Sequence, residues 1–145
     1  MSVKRFLIIL FAFFSVAFIG CQIKAVEKTL NGIWTESRKT SSGEQAITTI
    51  TFIGETATFT WIERTGDVET NNRTGSYIIY LNDDQDNVRL RATVVLTFAE
   101  TPEEPAKSAA FWFSFSKSED GTECLNLEPI DEADDVYVLT RAAEA

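Results

Sequence analysis

Two hydrophobic patterns divide the chain. Residues 6–19 form an apolar run interrupted only by Ser15 and preceded by Lys4 and Arg5. From Leu30 to Arg141 apolar and polar residues instead alternate with period two, and turn residues break the alternation every eight to twelve positions. That rhythm belongs to an all-β sandwich or barrel. It predicts eight strands, at 31–39, 46–53, 56–64, 74–81, 88–99, 109–117, 123–128 and 136–141. The fifth is the clearest: Val88, Leu90, Ala92, Val94, Leu96 and Phe98 alternate with Arg89, Arg91, Thr93, Val95 and Thr97, one face for a core and one for water.

Turn chemistry separates these strands. TSSGEQ and Gly54-Glu55 mark the first two turns, and Gly66-Asp67 is expected to open a loop that runs on to TNNR. NDDQDN, the proline-bearing ETPEEPAKS, SEDGTE and PIDEADD follow, the last with room for a single helical turn. No helix long enough to cover a sheet is predicted. Eight strands with hairpin-sized links favour an antiparallel up-and-down barrel, because closure removes exposed sheet edges.

The apolar run near the start has the charged-then-apolar layout of an export signal. Its 14 residues reach roughly 21 Å as a helix, short of the roughly 30 Å hydrocarbon core, so a cleaved signal peptide is expected rather than a span. The run closes on Phe18-Ile19-Gly20-Cys21. This resembles the lipobox of bacterial lipoproteins, in which a small residue precedes a cysteine that receives a diacylglycerol, although Phe18 stands where an aliphatic residue is usual. The resemblance implies lipidation at Cys21 by acyl chains such as palmitate, each contributing about 0.8 kcal/mol per buried methylene. Gln22 after the cysteine resembles the pattern of lipoproteins sent to the outer membrane. The expected organisation is a signal peptide at 1–20, a lipidated tether at 21–29, a barrel domain at 30–141 and a tail at 142–145.

Removal of residues 1–20 takes away Lys4 and Arg5 but no acid, so 13 basic residues fall to 11 against 22 acidic ones and the formal charge becomes −11. Nucleic acid is excluded as a natural partner, whereas a basic envelope protein or a cationic ligand is compatible. With Cys21 spent on lipid, Cys124 has no partner for an intramolecular disulfide and reads as a small buried hydrophobe.

LNGIWTE opens the alternating region and VYVLTR closes it. Gly32-Ile33-Trp34 resembles the Gly-x-Trp motif on the first strand of lipocalins and of shorter lipocalin-like domains in bacterial lipoproteins, whose fold is an eight-stranded antiparallel barrel. In those proteins an arginine near the end of the barrel sequence packs over that tryptophan. Arg141 holds a comparable place, so the resemblance implies a cation–π contact between Trp34 and Arg141. It extends over residues 30–141, without the middle Thr-Asp-Tyr-type segment and without the long helix before the final strand. From the residues alone, Trp34 also reads as a core aromatic and Arg141 as a terminal surface charge.

The alternation points Trp34, Ile50, Phe52, Phe59, Trp61, Tyr77, Ile79, Leu90, Val94, Leu96, Phe98, Phe111, Phe113, Phe115, Leu125, Leu127, Tyr137 and Leu139 inward. Such an interior is either filled by side chains or houses one small ligand, and periodicity leaves both open. Trp112 falls on the outer face, where the tether or the 100–108 loop is expected to cover it.

The chain contains no histidine, which removes Ser-His-Asp and Cys-His catalysis and the commonest zinc ligand. No enzyme activity, metal or cofactor is expected. Glu36 shares a face with Trp34, and Glu63 shares one with Trp61; a glycosidase-like pair is weighed there against ordinary solvated carboxylates. Asn82, Asp84 and Asp86 have the first spacings of a calcium loop, but Asn87 and Thr93 replace its glycine and bidentate glutamate, so a hairpin turn is expected. Asp131, Glu132, Asp134 and Asp135 read as a solvated loop able to hold a cation weakly. Asn72-Arg73-Thr74 matches a glycosylation sequon without meaning in a bacterial lipoprotein.

The expected function is that of a membrane-anchored lipocalin-like lipoprotein that binds a small apolar or amphipathic ligand in the cell envelope, with Trp34, Phe59, Trp61, Phe111, Phe113 and Phe115 lining the site. The alternative is a protein-interaction or inhibitor lipoprotein with a filled barrel, acting on a basic envelope protein through its acidic surface and loops. Either would face the periplasm or the exterior.

Overall fold

The period-two segments form eight strands in a computed structural model that describes residues 23–83, 90–130 and 136–142, the side chains of 82, 83, 90 and 91 excepted. They are β1 (Gly32–Lys39), β2 (Gln45–Ile53), β3 (Thr58–Thr65), β4 (Val68–Asp83), β5 (Leu90–Phe98), β6 (Lys107–Lys117), β7 (Glu123–Pro129) and β8 (Tyr137–Arg141). Each pairs antiparallel with the next, and β8 returns to β1, closing the barrel. One end, the base, carries the start of β1, residues 54–57 and residues 118–122. The other, the mouth, carries residues 40–44, 66–67 and 99–106.

Two expectations are corrected. Residues 23–29 of the expected tether form, with Leu30, a helix, α1. Leu30 is fully buried and Val26 packs against the core, a spacing of four that puts both on one helical face. The loop expected from Gly66 to Arg73 is instead strand: only Gly66 and Asp67 separate β3 from β4, which runs for 16 residues. Polar residues hide this strand, yet they find partners. A register shift at Glu63/Arg64 accommodates the pairing, and Asn71 Nδ2 donates to Glu63 Oε2 at 3.3 Å.

Of the 18 residues expected to point inward, those with described side chains are buried in the core or packed against it; the side chain of Leu90 lies outside the described residues. Gly75 serves close approach: a Cβ there would lie 2.0 Å from the Thr97 carbonyl oxygen and 2.9 Å from the Phe59 ring. Among the described residues no helix is long and apolar enough to cross a membrane.

The β1–β8 seam is short, with Trp34 opposite Arg141 and Thr35 opposite Thr140. Side chains complete it. The Arg141 guanidinium carbon lies 4.2 Å from the centroid of the Trp34 ring, its Nη1 donates to Asn31 O at 2.9 Å and its Nη2 to Thr29 O at 2.5 Å. Its Nε pairs with Glu123. Trp34 Nε1 donates to Leu30 O at 2.8 Å, so the C-terminal carbonyls of α1 are satisfied from the seam. Gly32, at φ 127°, makes room: a Cβ there would stand 2.9 Å from Arg141 Nη1. Toward the mouth, Val138 N donates to Glu36 Oε1 at 3.1 Å and Arg38 Nη2 to Val136 O at 2.5 Å, extending the seam with side chains where β1 and β8 no longer pair directly.

Two outcomes follow for stability. Arg141→Ala removes one stacking contact and several charge-assisted hydrogen bonds, and is expected to cost about 2–4 kcal/mol by urea denaturation, with Arg141→Lys recovering less than half because it lacks the planar fork. In the β6–β7 turn, Asp120 accepts hydrogen bonds from Ser118 Oγ and, at 3.0 Å, from Thr122 N, and these hold its carboxyl at about 2. Its contribution is therefore present above the ordinary carboxylate range near pH 4 and is lost as pH falls through about 2. Asp120→Asn is expected to flatten that part of the acid-denaturation profile.

Candidate functional site

The barrel interior is a network of aromatic rings. From the base, Tyr77 meets Phe52 edge-on at 5.3 Å, Phe52 lies 6.5 Å from Phe59, and Phe59 meets Phe98 edge-on at 5.1 Å. Trp61 joins Phe98 at 6.0 Å, Phe111 at 6.3 Å and Tyr137 at 5.3 Å. A second group comprises Trp34 with Phe115 at 6.0 Å and Phe115 with Phe113 at 5.8 Å. All these separations are in the range of direct ring contact. The six expected lining residues therefore divide between the two groups: Phe59, Trp61 and Phe111 in one, Trp34, Phe113 and Phe115 in the other.

Polar side chains close the mouth above Trp61. Arg73, only 5% exposed, pairs with Glu104 and donates through Nη2 to Ala99 O at 3.0 Å and to Pro105 O at 3.4 Å, with its guanidinium 5.4 Å from the Phe98 ring. This ties both ends of the 99–106 connection to β4. Thr101 and Glu104 stiffen the connection with reciprocal bonds of 2.8 and 3.1 Å. On the opposite wall Arg38 lies 5.5 Å over the Tyr137 ring and donates to Glu36 at 2.9 Å. Sequence reasoning singled out neither Arg73 nor Glu104. The signal for Arg73 was available, since it shares parity with Gly75, Tyr77 and Ile79 on β4.

Glu36 and Glu63 do not stand as a free carboxylate pair. Glu36 is held by Arg38 and the Val138 amide, Glu63 by Trp61 Nε1 at 3.1 Å and by Asn71. Trp112 is half-buried on the outer face, opposite the buried Thr93 of β5, with Tyr80 and Ile78 exposed on β4 beyond it. Cys124 is buried and its thiol is free. Asn82 belongs to β4, whereas Cys21, Asp84, Asp86, Asp131, Glu132, Asp134 and Asp135 lie outside the described residues. Exposed acids stand at both ends: Glu44, Asp67, Glu69, Glu100, Glu103 and Glu104 at the mouth, with Lys39, Arg64 and Lys107 among them, and Glu55, Glu119, Asp120 and Glu123 at the base.

Among the described residues, two buried side-chain polar atoms have no hydrogen-bond partner, the Arg73 Nε and the Tyr77 hydroxyl. Burial, and secondarily the negative charge of Glu27 on α1, push the Tyr77 phenol above its ordinary value of 10. The folded state thus prefers the neutral phenol, and this contribution, present below pH 10, is lost as pH rises beyond it. Tyr77→Phe is expected to raise stability at neutral pH by about 1 kcal/mol, because an unpaired buried hydroxyl is removed, and to reduce the alkaline loss. Urea midpoints from neutral to alkaline pH measure both; destabilisation at neutral pH would mean that the hydroxyl has a partner in solution. No protein-family model, curated protein or solved structure matches the chain; its closed eight-stranded antiparallel barrel is compatible with a lipocalin-like fold.

Proposed function

We propose that this protein is a lipid-anchored envelope lipoprotein, acylated at Cys21, whose lipocalin-like barrel is solid and acts through its acidic mouth and loops on a cationic partner protein. The observation that carries this reading is the ring network. Rings in contact from Tyr77 to Tyr137 support a filled interior, and the Arg73–Glu104 pair, which holds the 99–106 connection to β4, supports a fixed mouth. A net charge of −11 without the signal segment, with Glu44, Asp67, Glu69, Glu100, Glu103 and Glu104 exposed at the mouth, supports long-range attraction of a basic surface. The Gly20-Cys21-Gln22 context supports the anchor and an outer-membrane address.

A second reading, a small apolar or amphipathic ligand inside the barrel, is favoured by one observation: the unpaired Tyr77 hydroxyl and Arg73 Nε are polar handles within an apolar interior. The two readings separate experimentally. On the surface reading Nile red shows no saturable binding and native mass spectrometry of protein from its own membrane shows no bound small molecule. Capture of basic envelope proteins falls at least about tenfold from low to high salt. Glu100→Lys with Glu103→Lys weakens capture, whereas Glu55→Lys with Glu119→Lys at the base leaves it unchanged. Saturable Nile red binding with salt-independent capture would overturn the proposal in favour of the ligand.

A further inference from the structure

We infer that the helix-capped base is the membrane-facing end of this barrel, seated on the phospholipid surface by a link too short to let the body turn over, so that the acidic mouth points away from the bilayer. The inference rests on the acylation of Cys21 proposed above. Only Gln22 separates Cys21 from the first residue of α1. Two Cα steps of about 3.8 Å therefore join anchor to folded body, roughly 8 Å at full stretch.

α1 is no loose extension of that link. Val26 and Leu30 pack into the core, and the carbonyls of Thr29, Leu30 and Asn31 are bonded by Arg141 and Trp34. The helix exposes Lys24, Ala25 and Lys28, two cations beside the anchor in a strongly acidic chain. A strand of nine residues such as β2, at about 3.3 Å per residue and tilted about 40°, makes a barrel roughly 23 Å tall. The mouth then stands more than two Debye lengths of about 8 Å from the headgroups, where anionic lipid no longer repels its acids. The base carries exposed acids of its own, Glu55, Glu119, Asp120 and Glu123, so the link sets the orientation: inverting the body would require roughly 8 Å of chain to span a barrel roughly 23 Å tall.

The test uses the acylated chain purified from membranes and reconstituted in phosphatidylethanolamine–phosphatidylglycerol vesicles containing a nitroxide-headgroup lipid. A fluorophore is attached at Glu119→Cys in the base or at Ser42→Cys at the mouth, in a Cys124→Ala background. Because Cys124 is buried, the same labels on the chain that retains it serve if that substitution disturbs folding. Quenching is expected to be several-fold stronger at the base position. A Gly/Ser insert of about 20 residues between Gln22 and Ile23, with a root-mean-square reach of roughly 25 Å, should erase the difference while the protein stays vesicle-bound. Intact mass is read first. A chain without acyl groups overturns the anchor and the seating with it, whereas an acylated chain quenched equally at both positions, or more at the mouth, overturns the seating alone.

Discussion

Closure of the barrel depends on a contact between its two ends in sequence. An eight-stranded sheet that failed to close would leave β1 and β8 as bare edges with unpaired backbone groups. The paired length between them is only two residues, so the ladder cannot hold the seam alone. Arg141 supplies what is missing. Its planar guanidinium covers the face of Trp34, reaches the carbonyls at the end of α1, and meets Glu123 on β7. One side chain thus joins first strand, last strand and helix, and glycine suits position 32 beside it because the backbone there, at φ 127°, adopts a conformation that side-chain-bearing residues rarely take.

What that closure encloses explains the rest of the molecule. Rings from seven of the eight strands meet inside, and the described polar groups that share the inward face lie toward the ends. Arg73 and Glu36 sit near the mouth with partners in the 99–106 connection and on β8, while the Tyr77 hydroxyl lies toward α1. A core built this way has little need of a disulfide. The buried thiol of Cys124 is consistent with stability drawn from packing.

Strand number, order of alternation and the identity of the core were legible in the sequence because burial on one face of a pleated strand writes itself as period two. The Trp34–Arg141 contact was legible only through the lipocalin resemblance. Two features were not. α1 escaped because eight residues with one fully buried position, Leu30, carry too weak a helical period to compete with the adjacent strand pattern. The first half of β4 escaped because Thr70, Asn71, Asn72 and Arg73 read as loop chemistry, although Asn71 and Arg73 spend their polar groups on Glu63 and Glu104 rather than on water. The mouth closure went unseen for the same reason, since a buried arginine announces itself by its partner, and Glu104 is 31 residues away.

Hairpin links have a kinetic side as well. Seven of the eight strand pairings join neighbours in sequence, which form by closing short loops. The eighth joins groups more than 100 residues apart, as in Thr140 with Thr35 or Arg141 with Thr29. While the chain is being made, the free edge of β1 therefore waits, exposed to wrong pairing with other chains, until the final strand has emerged. The one pairing that spans the whole domain thus depends on its last residues, and a chain ending a few residues early would keep its hairpins but never lose its sticky edge.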